Sequence, residues 1–314
     1  DLGAALRDPL LLAKQCATVD FLSEGRMLPG FGIGSPRGPE WEAMHLDPAT
    51  RGRKTDEALE VISRLWKGEK LTYAGKHFQF TNASIAPLPV QTELPMWIGG
   101  SSAAAVKRTA KYGTGWQAGS ETPETVGEVI AAIKAASAAA GRAIDEDHYG
   151  AAFAFRFGSA NDPAVAKVIE HFQTRTGRDA SVHFVFGDAD AIVERIARYV
   201  DNGASKFILR PAAYGDEDFL DQAQRLIDEV LPAVAARWPK PPKAALDAMV
   251  VHFSEPTDDG LEWSLLPPAG SALSVRRLET PATRGTAGES WLVEFQPPLR
   301  SEAGVRAARV TPFW

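Results

Sequence analysis

The sequence predicts an α/β fold built on a parallel sheet, and two observations carry that prediction. Segments with helical periodicity alternate with strand-like segments along residues 1–239. The strand-like segments are mostly continuous apolar runs, as strands covered on both faces read. A third observation sets the domain plan. After Pro239-Lys240-Pro241-Pro242 the helical pattern stops, and short strand-like pieces separated by Gly, Pro and Asp turns take over. Residues 1–239 are therefore expected to form the α/β domain and residues 243–314 a small β-rich C-terminal extension.

Each element has its own signal. Asp8-Pro9 is a helix cap followed by proline at the first helical position, and opens a helix through Leu22. Gly25-Arg26 leads into an apolar run, Met27 to Ile33, that reads as a strand with Pro29 as a blemish. Arg53 to Trp66 is amphipathic, with Ala58, Leu59, Ile62, Leu65 and Trp66 on one face. Thr72-Tyr73 and His77 to Phe80 are strand-like pieces of a long connection. A strand at 95–98, a helix at 102–112 and a short strand at Gly115 to Ala118 follow. Val126, Val129, Ile130 and Ile133 mark a helix, and Tyr149 to Phe157 a strand. Asp162-Pro163 opens a helix to about Thr174, and Val182 to Phe186 reads as a strand. A helix marked by Ile192, Val193, Ile196, Tyr199 and Val200 ends at Asn202-Gly203. Lys206 to Arg210 is a strand, and Phe219 to Val230 marks the last helix. In the extension, strands are expected at Met249 to Phe253, Leu261 to Leu266, Ala272 to Leu278, Ser290 to Phe295 and Val305 to Val310.

Composition bounds the function. The chain has 314 residues, 45% of them hydrophobic and 24% charged, which is a globular composition. Net charge is -6 and no basic stripe is visible, so a nucleic-acid partner is not expected. No apolar run is long enough to span a membrane, so no membrane partner is expected either. The start, Asp1-Leu2-Gly3, carries no signal-peptide pattern. The single cysteine, Cys16, excludes an internal disulfide. With Leu12 and Val19 it sits in a helical pattern as a buried core residue. Together these points fit a cytoplasmic, reducing setting.

Pro95 to Val106 is the most informative stretch. An apolar run ends in Gly99-Gly100, followed by Ser101-Ser102 and a helix-forming run. Glycines let backbone approach a ligand closely, a serine caps the helix, and free N–H groups at its start suit an anion such as phosphate. An ordinary capped turn fits the pattern as well. Gly30-Phe31-Gly32-Ile33-Gly34 does not meet the dinucleotide fingerprint, because Ser35 stands where the third glycine belongs and no helix follows at once. His45 lies in the loop after that strand, with Glu40 and Glu42. These residues are candidate acids and bases, although loop residues of this kind are commonly solvated surface. Arg51 and Arg53 oppose the dipole of the helix they start, which suggests anion binding or pairing with Glu40 or Glu42. Trp116, at a strand end, suits ligand contact or core packing equally. No zinc-ligand spacing is present, so no metal is expected.

These pieces resemble the luciferase-like monooxygenase family, and within it the branch of F420-dependent oxidoreductases. The resemblance rests on Arg7-Asp8-Pro9-Leu10-Leu11-Leu12-Ala13-Lys14-Gln15, Leu22-Ser23-Glu24-Gly25-Arg26-Met27 and Gly30 to Gly34. It continues through Arg51-Gly52-Arg53, Asp56 to Leu59, Leu65 to Gly68, Pro95 to Ser102, Gly113 to Trp116 and Tyr199 to Gly203, covering about residues 6–237. It implies a TIM-type (β/α) barrel with its site at the carboxyl ends of the strands. It also implies coenzyme F420 or FMN as cofactor, a small-molecule organic substrate, and oxidoreductase or monooxygenase chemistry. By that resemblance Gly99, Gly100, Ser101 and Ser102 hold the cofactor phosphate, and Gly32, Gly34 and Trp116 line the ring pocket. His45 and Glu40 would contact substrate.

The sequence departs from the family pattern in two places. Family members carry three βα units before the segment matching Arg7, where six residues stand here, so the barrel is expected to be incomplete at its N-terminus. The acidic residue that the F420 branch carries after the Gly32–Gly34 loop is unmatched, with Ser35-Pro36 in its place. The first departure leaves a second reading open: a non-catalytic relative that keeps only the phosphate cradle. An incomplete barrel has open strand edges, so a homo-oligomer or docking of the extension is expected to cover them.

Overall fold

Apolar surface on the first helices gathers around the first strand of a parallel sheet. The computed structural model describes residues 2–239 together with three strands further on, at 246–254, 272–277 and 288–299. It divides into two compact units, Asp1–Arg237 and Trp238–Trp314.

In the first unit, α1 (Pro9–Leu22) starts where the Asp8 carboxylate accepts from the N–H groups of Leu10 and Leu11 at 2.9 and 3.0 Å. After β1 (Gly30–Phe31) comes a short helix, α2 (Pro39–Ala43), and then α3 (Arg51–Trp66). The stripe predicted on α3 is buried: Ala58, Leu59, Ile62 and Leu65 pack with Leu12 and Cys16 of α1 and with Phe31. A hairpin of β2 (Leu71–Ala74) and β3 (Gln79–Ala83) is tied back to α3. There the Glu57 carboxylate accepts from the N–H groups of Lys76, His77 and Phe78. The loop before the next strand is fixed by Asp20, which is fully buried and accepts from the N–H groups of Val90 and Gln91 and from Gln91 Nε2.

Then follow β4 (Trp97–Gly99), α4 (Ala103–Tyr112), β5 (Gly115–Gln117), α5 (Pro123–Ala139) and β6 (Tyr149–Phe157). The unit ends with α6 (Pro163–Thr176), α7 (Ala180–His183), β7 (Phe184–Gly187), α8 (Ala189–Asp201), β8 (Lys206–Pro211), α9 (Asp216–Arg225) and α10 (Leu231–Arg237). A π-helical turn, Leu226–Val230, joins the last two helices.

All pairings within the six-stranded sheet are parallel, and the order is β1-β4-β5-β6, with β7 and β8 both pairing β6. Carbonyl parity separates the two edges of β6. The His148 and Gly150 carbonyls accept from β5, whereas those of Tyr149 and Phe155 accept from Ser205 and Ala212 around β8. Gly158 N–H, on the parity of the β5 edge, bonds Gly187. So β7 extends the β5 edge and β8 takes the other. The outer edge of β1 is met by Leu2, whose N–H donates to the Gly30 carbonyl at 2.8 Å. Among the described residues β8 pairs only with β6, and the sheet does not close.

Register defines two faces, since paired residues in a sheet point the same way. Phe31, Ile98, Trp116 and Tyr149 form one row, on the side of α1 and α3. Farther along β6, Phe153 lies on the same face and stacks on Tyr199 of α8, with centroids 5.6 Å apart. Gly99, Gln117, Gly150 and Lys206 form a row on the opposite face, and Ala152 with Ile208 and Ala154 with Arg210 lie beyond it. At the carboxyl ends of β6 and β7, α6 covers that opposite face, where Phe172 packs against Phe184 and Ala154.

Four expectations are corrected. The strand expected at Met27 to Ile33 shrinks to Gly30–Phe31, because Pro29 has no N–H to give and enters the ladder only as acceptor from Trp97 N–H, at 3.1 Å. The loop carrying Glu40 and Glu42 contains α2, which starts with Pro39 at its first position. The strand expected from Val182 begins at Phe184, since Ala180–His183 form a helical turn. The last helix runs past Val230, through the π turn, to Arg237.

The second unit contains β9 (Leu246–Ser254), β10 (Ala272–Arg277) and β11 (Gly288–Leu299), an antiparallel sheet in the order β10-β11-β9. The strands expected at Leu261 to Leu266 and Val305 to Val310 lie outside the described residues.

Candidate functional site

The carboxyl ends of β1, β4, β5, β6 and β8 lie on one side of the sheet, where side chains and backbone groups converge in a (β/α) architecture. The turn after β4 has the makings of an anion cradle. Gly100 adopts φ +103°, a conformation open to glycine and costly for L side chains. A Cβ there would also meet the Ala105 Cβ at 3.3 Å. Ser102 caps α4: its Oγ accepts from Ala105 N–H at 3.2 Å and its carbonyl from Val106 N–H at 2.9 Å. Among the described residues, the N–H groups ahead of those two, at Ser101 to Ala104, make no hydrogen bond, and the first turn of α4 holds no acidic residue. Free N–H groups at the positive end of a helix dipole are what an anion needs. A Cβ at Gly99 would stand on the open face at ordinary distances, 3.7 Å from the Phe31 carbonyl oxygen and 3.8 Å from that of Gln117.

Neighbouring strands complete the surroundings. Gln117 lays its carboxamide across Gly150, where any Cβ would overlap it, and its Nε2 donates to the Ala118 carbonyl at 3.0 Å. Gly32 is buried at the end of β1. Gly34, at φ +72°, passes beside the Trp41 ring, whose Nε1 donates to the Ser35 carbonyl at 2.7 Å. This bond folds the loop after β1 back onto α2.

The remaining sequence candidates fall as follows. Trp116 is fully buried on the helix-covered face and donates its indole N–H to the Gly100 carbonyl at 2.8 Å. A fully buried ring offers no surface to a ligand, so the ring-lining role expected for Trp116 is corrected: it supports the turn from behind. Glu40 lies in the first turn of α2 with its carboxylate folded over Gly38. His45 follows α2 at φ +52° with an exposed side chain. No hydrogen bond or ion pair links either side chain to the turn after β4. The pairing expected of Arg51 or Arg53 with Glu40 or Glu42 is absent: Arg51 donates to the Pro48 carbonyl at 2.9 Å, and Arg53 is exposed. Arg108 takes the ion pair in that region, with Asp56 at 2.6 Å.

Two clusters escaped the sequence reading. Arg156, 6% exposed near the carboxyl end of β6, donates to Asp218 at 2.8 and 3.0 Å, to Asp162 at 3.3 Å and to the Ala212 carbonyl at 3.1 Å. The guanidinium beside Asp218 holds its carboxyl below the usual carboxylate range. A lone arginine inside the apolar run Tyr149 to Phe157 was the available signal. At the opposite, amino-terminal end of the strands, Asp145, Asp147 and His148 offer ligand atoms within 4.8 Å of one another. Asp147 is paired there with Lys206, whose ammonium holds the carboxyl low, and the His148 ring packs on Trp97.

A mainly parallel α/β sheet, with a glycine turn and a capped helix start at a strand's carboxyl end, defines a (β/α)-type protein. Residues 3–184 match the luciferase-like monooxygenase family, and the chain belongs to it. The sequence is 28% identical over 261 residues to an F420-dependent glucose-6-phosphate dehydrogenase of Microbacterium testaceum, covering 73% of this chain and 75% of that one. An uncharacterised protein of Mycobacterium tuberculosis is 31% identical over 142 residues, 45% of this chain and 48% of its own length. Among solved structures, an F420-dependent secondary alcohol dehydrogenase with an F420-acetone adduct superposes with TM-score 0.61 at 20% identity, covering 72% of this chain and 75% of that one. A monooxygenase from Streptomyces bottropensis gives 0.60 at 20% identity, with 73% and 75% covered. These likenesses establish the fold. Relatives and structural neighbours use F420 or FMN. Among the described residues, no helix is long and apolar enough to cross a membrane.

Proposed function

We propose that this chain is an oxidoreductase of the luciferase-like type that binds F420 or FMN and acts on a small organic substrate. The observation that carries the reading is the turn after β4: Gly100 at φ +103°, a Ser102 cap, and an acid-free start to α4 with unused N–H groups. Those groups fit a phosphate. Gly99, Gly100, Ser101 and Ser102 hold it, and Gly32 and Gly34 leave room for the ring above the end of β1. When bound, the cofactor supplies the hydride or electrons. The chain binds, orients and excludes water. His45 and Glu40 are the substrate-side candidates, on the exposed segment around α2. Titration of the chain with FMN and with F420, followed by fluorescence, tests the reading: saturable binding of either supports it, and binding of neither refutes it.

A second reading is a relative that binds the phosphate without turnover. The open β8 edge among the described residues favours it, because a barrel site draws on residues from all its strands. Substrate-dependent reoxidation of the bound, reduced cofactor separates the two.

A further inference from the structure

The turn after β4 is held by a residue that cannot touch a ligand. Trp116 is fully buried, and its Nε1 donates to the Gly100 carbonyl at 2.8 Å. Its place in the register, beside Ile98 and Tyr149, puts its side chain on the helix-covered face of the sheet. The Gly100 carbonyl is therefore drawn toward that face. The Gly100–Ser101 peptide is trans, and in a trans peptide the C=O and the following N–H point in opposite directions. Anchoring the carbonyl behind the turn thus turns the Ser101 N–H forward, where no group among the described residues accepts from it. The φ of +103° at Gly100 is the conformation that permits this orientation. Without the indole N–H, the Gly100 carbonyl would lose its partner, and the peptide could rotate to find another.

We propose that Trp116 is the positioning residue of the phosphate turn: its indole N–H locks the Gly100–Ser101 peptide so that the Ser101 N–H faces an incoming phosphate. The proposal rests on the reading of this turn as the cofactor-phosphate site. It adds a residue on the neighbouring strand that acts only through the backbone it holds, and it gives β5 a part in a site otherwise built by β4 and α4.

The test compares ligands with and without phosphate on the full chain: FMN against riboflavin, and F420 against its phosphate-free deazariboflavin chromophore. Trp116→Phe removes the N–H and keeps an aromatic ring. Site-specific replacement of Trp116 by benzothienylalanine keeps the bicyclic shape and substitutes sulfur for N–H, so it covers the case in which the phenylalanine variant fails to fold. Affinity for the phosphate-bearing ligand should fall about ten- to a hundredfold, the loss of one hydrogen bond to a charged group, with less than about a twofold change for its phosphate-free counterpart. A purely structural role would weaken both ligands equally, and an unchanged affinity ratio in the shape-preserving variant overturns the proposal. If the native chain itself fails to distinguish either pair of ligands, the phosphate-site reading fails and the proposal falls with it.

Discussion

Replacing Gly100 by valine perturbs the turn after β4 most severely. Gly100 sits at φ +103°, and a β-branched residue forced there carries strain of about 1–3 kcal/mol. Its Cβ would also stand 3.3 Å from the Ala105 Cβ, closer than ordinary contact, so the first turn of α4 must give way. For a unit of this size the strain corresponds to a fall in Tm of roughly 2–4 °C per kcal/mol. The same shift moves the N–H groups that would meet a phosphate. Each charge-assisted hydrogen bond lost is worth about 1.5–3 kcal/mol, so cofactor affinity should fall at least about tenfold. Gly99→Ala separates the two effects. Its Cβ would sit at 3.7 and 3.8 Å from two carbonyl oxygens, so stability should hold while the added methyl stands on the open face and hinders the cofactor. Differential scanning fluorimetry and titration with FMN and F420 measure both quantities. A Gly100→Val protein with native Tm and native affinity would refute the reasoning.

Three further outcomes follow from the packing. Cys16 is buried, and burial pushes its thiol up to about 11, with Arg7 opposing weakly; a thiol reagent at neutral pH should leave it unmodified until the chain unfolds, and rapid labelling of the native protein would contradict its placement. The Arg156 guanidinium holds the Asp218 carboxyl low. The folded-state pKa therefore lies below the unfolded value of about 3.9, so the pair's contribution is complete above that value and is lost as pH falls through the folded pKa. Asp218→Asn should flatten the acid limb of the stability-versus-pH curve, and an unchanged limb would count against the pairing. Asp20→Ala should destabilise by about 3 kcal/mol or more, because the N–H groups of Val90 and Gln91 and the buried Gln91 carboxamide lose their acceptor; urea denaturation measures it, and a change under about 1 kcal/mol would show that water or a shifted loop replaces the carboxylate.

The elements most legible in the sequence were those with local signals. Asp8-Pro9 sets the start of α1, and the apolar stripe of α3 and the run Tyr149 to Phe157 lie where periodicity puts them. The Gly99-Gly100-Ser101-Ser102 pattern also reads locally, because left-handed backbone and a serine cap need only neighbouring residues. Signals that depend on distant partners were illegible. Trp116 reads as ligand contact or core equally well, and only the register with Ile98 and Tyr149 puts it behind the turn. Arg156 depends on Asp218, 62 residues away, and Asp20 on Gln91, 71 residues away. Likewise β1 is cut to two residues by Pro29, whose effect depends on the neighbouring strand's demand for an N–H.

A crystal structure of the chain with bound FMN or F420 tests the central claim most directly. The account predicts the phosphate at the start of α4, within about 3 Å of backbone N–H groups between Ser101 and Ala104. A phosphate held instead at the carboxyl ends of β6 and β8, beside Arg210, would contradict it.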